Sequence, residues 1–82
     1  MYRKFSPEKV RSQRGTETRK AVIARADGMI SETELAAYEL PRSRGGYRPS
    51  DTKMLYLLKA LDCTYEDISE PLTLDNLAAV AA

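Results

Sequence analysis

Helix start signals divide this 82-residue chain into short segments. A Ser or Thr at the N-cap of a helix accepts a hydrogen bond from a free backbone N–H, so such a residue before a run of helix formers predicts a helix. Pro7 and Glu8 strengthen the first signal, because proline suits the first helical position and an acid suits the first turn. Ser31 and Glu34 match a capping box, in which each side chain bonds the other residue's backbone N–H. The predicted caps are Ser6, Thr18 (with Thr16 as the alternative), Ser31, Ser50, Thr64 and Thr73.

The segments between these signals predict helices with short connections. Gly15 can take the left-handed position after the first helix, Asp27-Gly28 stops the second and Pro41 stops the third. The fourth helix has an apolar stripe at i, i+3, i+4 and i+7, formed by Met54, Leu57, Leu58 and Leu61. Strand patterns are poor, since no alternation of apolar and polar residues lasts more than a few positions. We therefore predict an all-α, compact five-helix domain with helices over residues 7–14, 19–26, 32–40, 51–61 and 65–68, and a short sixth helix at 74–80.

The length allows one domain, residues 1–82, with one modest core. Its net charge of +1 conceals a segregation of charge. Residues 1–48 have 11 Lys and Arg against 6 Asp and Glu, whereas residues 49–82 have 2 against 6. The first part is suited to a polyanion that the second part would repel. The alternative is that both are ordinary solvated surfaces.

Several function classes are disfavoured by the composition. Cys63 is the single cysteine and the chain has no His, which leaves no internal disulfide, no zinc site and no Ser–His or Cys–His catalytic pair. The carboxylates Glu66, Asp67 and Glu70 cluster, but without a nucleophile beside them. We expect no enzyme activity, no cofactor and no metal. We also expect a cytoplasmic, nucleoid-associated protein, because no signal peptide and no membrane-length apolar run is evident.

The second and third predicted helices, with a Gly-containing turn between them, describe a helix-turn-helix. This motif needs a small residue where the helices cross, and Ala24 can provide it. Gly28 can adopt the unusual backbone conformation of the turn. The apolar residues that would hold the third helix on the body are Ile30, Leu35 and Tyr38.

The run from Ser31 to Glu39 resembles the recognition helix of the lambda-repressor/Cro-like (XRE-type) helix-turn-helix family, in which a Ser cap, an aliphatic residue and an aromatic-Glu pair are typical. Arg48-Pro49-Ser50, the Leu-rich fourth helix and the run at 61–68 resemble that family's later helices. The similarity covers residues 6–70. The chain departs from the pattern at Asp27, where an apolar residue is usual, at the extra residue Met29, and in a longer segment between Glu39 and Ser50.

The resemblance implies a sequence-specific DNA-binding regulator whose third helix enters the major groove. It implies base readout by the residues at the start of that helix and one turn along, namely Ser31, Glu32, Thr33 and Ala37. Glu32 can accept a hydrogen bond from cytosine N4, and a Thr methyl can contact the thymine methyl. Glu34 is interpreted as a capping carboxylate instead. At the start of the second helix, Arg19 and Lys20 would contact a phosphate.

The segment after the third helix is rich in arginine. Arg42, Arg44 and Arg48 lie within seven positions, together with Tyr47 and the flexible pair Gly45-Gly46. Guanidinium groups beside an aromatic ring suit phosphate clamping or minor-groove insertion, so these three arginines and Tyr47 are predicted phosphate contacts. The alternative is a solvated surface loop.

Surplus apolar residues predict a second subunit. Leu55 and Tyr56 widen the stripe of the fourth helix beyond one face, and residues 71–82 carry a similar surplus in Leu72, Leu74, Leu77 and Val80. The sequence therefore favours a homodimeric repressor of bacterial or phage type on a pseudo-palindromic DNA operator, with no membrane or small-molecule partner. The competing hypothesis is a helix-turn-helix scaffold that serves as a protein-binding adaptor.

Overall fold

The computed structural model describes residues 2–74. In this part of the chain it has four α-helices, two short 3-10 helices and two strands. Their bounds are β1 (Arg3–Phe5), α1 (Pro7–Arg14), α2 (Arg19–Ile23), α3 (Glu32–Tyr38), a 3-10 helix at Arg42–Arg44, α4 (Asp51–Leu61), a 3-10 helix at Tyr65–Ile68 and β2 (Ser69–Pro71).

The prediction of an all-α, five-helix domain is wrong, because β1 and β2 form an antiparallel sheet and the fifth helix is of the 3-10 type. Arg3 lies opposite Pro71, and Phe5 opposite Ser69. Each strand has three residues, β1 contains two cations and β2 contains a proline. Neither strand has the alternation that marks a strand in sequence, and the pairing joins the two ends of the described chain.

The starts of the four α-helices agree with the caps predicted at Ser6, Thr18, Ser31 and Ser50. The Ser31–Glu34 capping box is confirmed, and Gly15, at φ +59°, follows the end of α1. α2 ends at Ile23 instead of Ala26, because the N–H groups of Arg25 and Ala26 bond carbonyls three residues back. Four capping side chains accept from a backbone N–H three residues on: Ser6 from Lys9, Thr18 from Ala21, Ser31 from Glu34 and Ser50 from Lys53.

The core lies where the four helices meet the second 3-10 helix. α2 packs against α3 and α4, and α1 packs against the 3-10 helix at Tyr65–Ile68. Ala26, not the predicted Ala24, is the buried alanine after α2. Leu58 is half-buried and Leu55 is 69% exposed, so the stripe of α4 buries one side. The side chains with the greatest burial are Val10, Val22, Leu35, Tyr38, Leu57 and Ile68.

Ser69 ties the N-terminal strand to the end of the described chain. Its hydroxyl donates to the Tyr65 carbonyl at 2.6 Å and accepts from Arg3 Nε at 2.8 Å. Its carbonyl accepts from Arg3 Nη2 at 3.0 Å and from Lys9 Nζ at 2.8 Å. Since Ser69 is fully buried, these bonds supply partners that water cannot, and they hold the short sheet in register.

Within residues 2–74, no helix has the length and apolar character needed to cross a membrane. The sixth helix expected at 74–80 lies outside the described residues except for Leu74, as do Leu77 and Val80 of the expected dimer contact.

Two leucines of α4 give a matched test of this packing. We expect Leu57→Ala to lower the free energy of unfolding by about 3 kcal/mol, because it leaves a cavity in the core. At a protein concentration where the chain is monomeric, Leu55→Ala, on the exposed side, should change it by less than about 0.5 kcal/mol. Urea denaturation at two protein concentrations measures both. Equal losses for the two variants would contradict the assignment of the buried face.

Candidate nucleic-acid interface

The N-terminal end of α3 is held by its own cap and by α4. The Ser31 hydroxyl accepts from the Glu34 N–H at 3.0 Å, and Glu34 Oε1 accepts from the Ser31 N–H at 3.1 Å. The Glu34 carboxylate also pairs with Lys53 of α4 and accepts from the Tyr38 hydroxyl at 3.4 Å. The Lys53 ion pair, followed by the Ser31 backbone bond, lowers the pKa of Glu34. Glu34 is thus fully engaged inside the protein, as the capping interpretation requires.

The C-terminal end of α3 is held by a buried carboxylate. The Glu39 side chain is 2% exposed and accepts two bonds from Arg14 of α1, from Nε at 2.7 Å and from Nη2 at 2.8 Å. Arg19 of α2 adds a longer bond of 3.3 Å from Nη2. The bond to Glu39 raises the pKa of Arg14 above its usual value. One carboxylate therefore joins the end of α1, the start of α2 and the end of α3.

Arg19 is only partly used by this contact. Its side chain is 40% exposed, and its Nε is buried without a hydrogen-bond partner in the described part of the chain. Lys20 beside it is exposed, and no ion pair involves it within residues 2–74. The start of α2 therefore presents two positive side chains to solvent, where a phosphate contact was predicted.

The predicted base-reading residues differ in how freely their side chains could contact a partner. Glu32 and Thr33 are exposed, and their side chains make no hydrogen bond within the described part of the chain. The hydroxyl of Ser31 is occupied by the cap, and Ala37 is half-buried beneath Gly46. The surface that α3 offers to a partner is thus centred on Glu32 and Thr33.

The connection between α2 and α3 has an unexpected form. It spans residues 24–31, longer than the three or four residues of a usual helix-turn-helix turn. Asp27 and Gly28 both have positive φ, at +53° and +76°. Asp27 is exposed and pairs with Lys59 of α4. This ion pair gives the exposed carboxylate of Asp27 a partner on α4.

Residues 41–49, which we call the arginine loop, begin at the C-terminal end of α3. Arg42, Arg44 and Arg48 are exposed, and none has a carboxylate partner within residues 2–74. Tyr47 is 52% exposed, and its ring meets that of Tyr38 edge to face, with centroids 5.6 Å apart and an interplanar angle of 89°. The loop presents its charges outward while its tyrosine contacts α3.

The predicted contacts thus separate into two groups. Arg19 contacts Glu39 at the C-terminal end of α3, where the arginine loop also begins, whereas Glu32 and Thr33 lie at its N-terminal end. A helix of seven residues spans about 10 Å, so the two groups lie about that far apart along the axis of α3. No ion pair was predicted for Glu39 or Arg14, and Gly46, predicted as part of a flexible pair, is instead buried against the end of α3. The local signal for Glu39 was an acid directly after an apolar face, followed by arginines.

The described residues form neither a metal-binding cluster nor a basic cavity in this region. Among residues 2–74, no group of three or more Cys, Asp or Glu side chains is placed to hold a metal ion. A shallow cavity of about 290 Å³ lies between β1, α1 and the end of α3. Its ionisable lining is one cation and three acids, Lys4, Glu8, Glu39 and Glu70, which does not suit a polyanion.

Comparison of the chain with protein-family models, curated proteins and solved structures finds no match.

Removal of the Glu39 carboxylate should destabilise the fold strongly. In Glu39→Ala, the Arg14 side chain, which is only 16% exposed, keeps its charge but loses its partner. We therefore expect the free energy of unfolding to fall by about 3 kcal/mol. Chemical denaturation measures it. Glu32→Ala, an exposed acid of the same helix, is the control and should stay within about 0.5 kcal/mol of the parent. An equally small loss for Glu39→Ala would disprove the structural role.

Tyr38 should make the protein sensitive to alkali. Burial, followed by the negative charge of Glu34, raises its pKa to about 12, above the value of about 10 in the unfolded chain. The Tyr38 hydroxyl of the folded state therefore keeps its proton to a higher pH than that of the unfolded chain. The resulting contribution to the free energy of unfolding, on the order of 2 kcal/mol, is present below about pH 10 and is lost as the pH rises towards 12. Denaturation at several pH values should show this decline. Tyr38→Phe should remove it, whereas Tyr2→Phe, at an exposed ring, should leave it in place.

Proposed function

We propose that this chain is a sequence-specific DNA-binding regulator of the lambda-repressor/Cro-like helix-turn-helix type, and most simply a homodimeric repressor of bacterial or phage type. The observation that carries the proposal is a set of exposed cations without carboxylate partners in the described chain, beside a helix whose outward side chains are free. These cations are Lys20, Arg42, Arg44 and Arg48.

The contrast with other cations supports an anionic partner. Arg14, Arg25, Lys53 and Lys59 all form ion pairs within the protein. Lys20 and the three arginines of the arginine loop have no such partner in the described part of the chain. Exposed positive charge without a carboxylate partner attracts the phosphate backbone of DNA and supplies most of the non-specific affinity for it.

Base recognition is assigned to Glu32 and Thr33. The free Glu32 carboxylate can accept from cytosine N4, and the Thr33 methyl can contact the methyl of thymine. Because a carboxylate is repelled by phosphate, an acidic recognition helix needs cations nearby. The arginine loop and the start of α2 supply them. Ser31 and Ala37 contribute at the margin, since one is occupied by the cap and the other is half-buried.

A homodimer would place two such helices on one operator. Exposed apolar side chains outside the basic region, Leu55 and Leu74, are available for a subunit contact. Two-fold symmetry would then set half-sites about 34 Å apart on a pseudo-palindrome. Repression would follow from steric occlusion of the bound DNA.

The second candidate is a protein-binding adaptor. The long connection between α2 and α3 and the acidic start of α3 favour it, because both differ from a usual DNA-reading motif. An acidic protein partner would use the same arginines.

Fluorescence anisotropy with the duplex upstream of the protein's own gene tests the proposal, at several salt concentrations and with random duplex as competitor. We expect binding that survives the competitor. Arg44→Ala should weaken binding to all sequences and reduce the salt slope by about 0.9, as for one lost phosphate contact. Thr33→Ala should instead reduce the preference for the specific duplex, with a cost of about 1 kcal/mol.

Thr52→Ala, at an exposed position of α4, is the matched control for Thr33→Ala and should bind as the parent does. Binding without preference for the upstream duplex would leave an architectural DNA-binding role. No binding at any salt concentration would reject the regulator and favour the adaptor.

A further inference from the structure

Gly46 packs against the backbone of the residues at the end of α3. It is buried, and a Cβ built on it would overlap the carbonyl of Leu40 and lie 2.9 Å from the carbonyl oxygen of Ala37. Its φ is not in the positive region, so the requirement for glycine here is one of space. The opposing atoms belong to backbone and cannot rotate away. Any side chain at position 46 must therefore move the loop off the helix.

The first half of the arginine loop is closed by its own backbone. The Pro41 carbonyl accepts from the N–H of Arg44 at 2.9 Å and from the N–H of Gly46 at 3.1 Å. The Gly45 N–H bonds the Arg42 carbonyl at 3.2 Å, and Gly45 itself is left-handed at φ +87°. These bonds form a compact turn, which fixes the backbone from which the side chains of Arg42 and Arg44 extend.

The second half of the loop is anchored by rings. The Tyr47 ring rests edge to face on Tyr38, which is itself 1% exposed. Pro49 is fully buried. Gly46, Tyr47 and Pro49 thus attach the loop at successive points, while Arg42 and Arg44 before them and Arg48 between them stay exposed.

We infer that the arginine loop is a preformed phosphate-binding clamp, and that Gly46 and the Tyr38–Tyr47 ring contact are its positioning elements. This inference rests on the proposed DNA-binding function. A loop already held in place loses less conformational entropy on binding than a free one does. Part of the affinity for DNA therefore depends on two uncharged features, the close packing of Gly46 and the contact between the rings of Tyr38 and Tyr47.

A double-mutant cycle in the full chain tests the clamp. The four proteins are the parent, Gly46→Ala, the double variant Arg42→Gln/Arg44→Gln, and all three changes together, titrated with the same duplex over a salt series. Gly46→Ala removes no charge, yet we expect it to lower the affinity by about threefold or more and to reduce the salt slope. Loss of the two arginines should then cost less in the G46A background than in the parent.

Binding is measured at a temperature where circular dichroism shows each variant to be folded. Tyr47→Ala provides a second route if Gly46→Ala does not fold, because Tyr47 is half exposed and less tied to the core. The loss caused by Arg42→Gln/Arg44→Gln should shrink in Y47A and keep its parental size in Y47F, which retains the ring. Ser43→Ala, exposed in the same loop, is the control without effect on the loop backbone.

The outcomes distinguish failure of the clamp from failure of the DNA-binding function on which it rests. Coupling between position 46 or 47 and the arginines supports the clamp. Binding by the parent with additive losses, or with Gly46→Ala equal to the parent, overturns the clamp and leaves the DNA-binding proposal standing. A parent that binds no DNA at any salt concentration overturns both.

Discussion

The buried carboxylate of Glu39 is the interaction on which the arrangement of the first three helices depends. A buried charge is tolerated only when its partners satisfy it, and Glu39 accepts two bonds from Arg14 and one from Arg19. The three side chains come from the end of α1, the start of α2 and the residue after α3, so one ion cluster sets where these ends meet. Because residues 41–49 follow directly, the same cluster also determines where the arginine loop begins.

The distribution of ion pairs distinguishes the fold from the surface. Several cations that connect helices are paired with an acid, as Lys53 is with Glu34 and Lys59 is with Asp27. Such pairs connect α4 to the start of α3 and to the turn before it. The arginine loop has no such acids within the described chain, although its backbone is well fixed. A fixed backbone with exposed, unpaired cations is the arrangement that the proposed phosphate clamp uses.

Predictions from sequence succeeded where the stabilising contacts are local. A cap at Ser6, Thr18, Ser31 or Ser50 involves residues three positions apart, so the relevant pattern is visible in the chain. They failed where a contact spans the chain. The sheet needs Arg3 to meet Ser69, and nothing near either residue announces the other. The prediction that Ala24 is the small residue at the helix crossing depended on its spacing from Gly28. α2 ends early, at Ile23, and Ala26 is the alanine that is buried.

Neighbouring residues and composition are enough to predict the helix starts, the apolar stripe of α4 and the excess of positive charge before residue 49. Which charges remain free depends on how the helices pack in three dimensions. Glu39 pairs with Arg14, and Glu34 pairs with Lys53. By contrast, Glu32, Lys20 and the loop arginines are exposed and have no ion-pair partner in the described chain. Free and paired charges look alike in sequence, because pairing depends on distance in space between helices whose packing is set by the core.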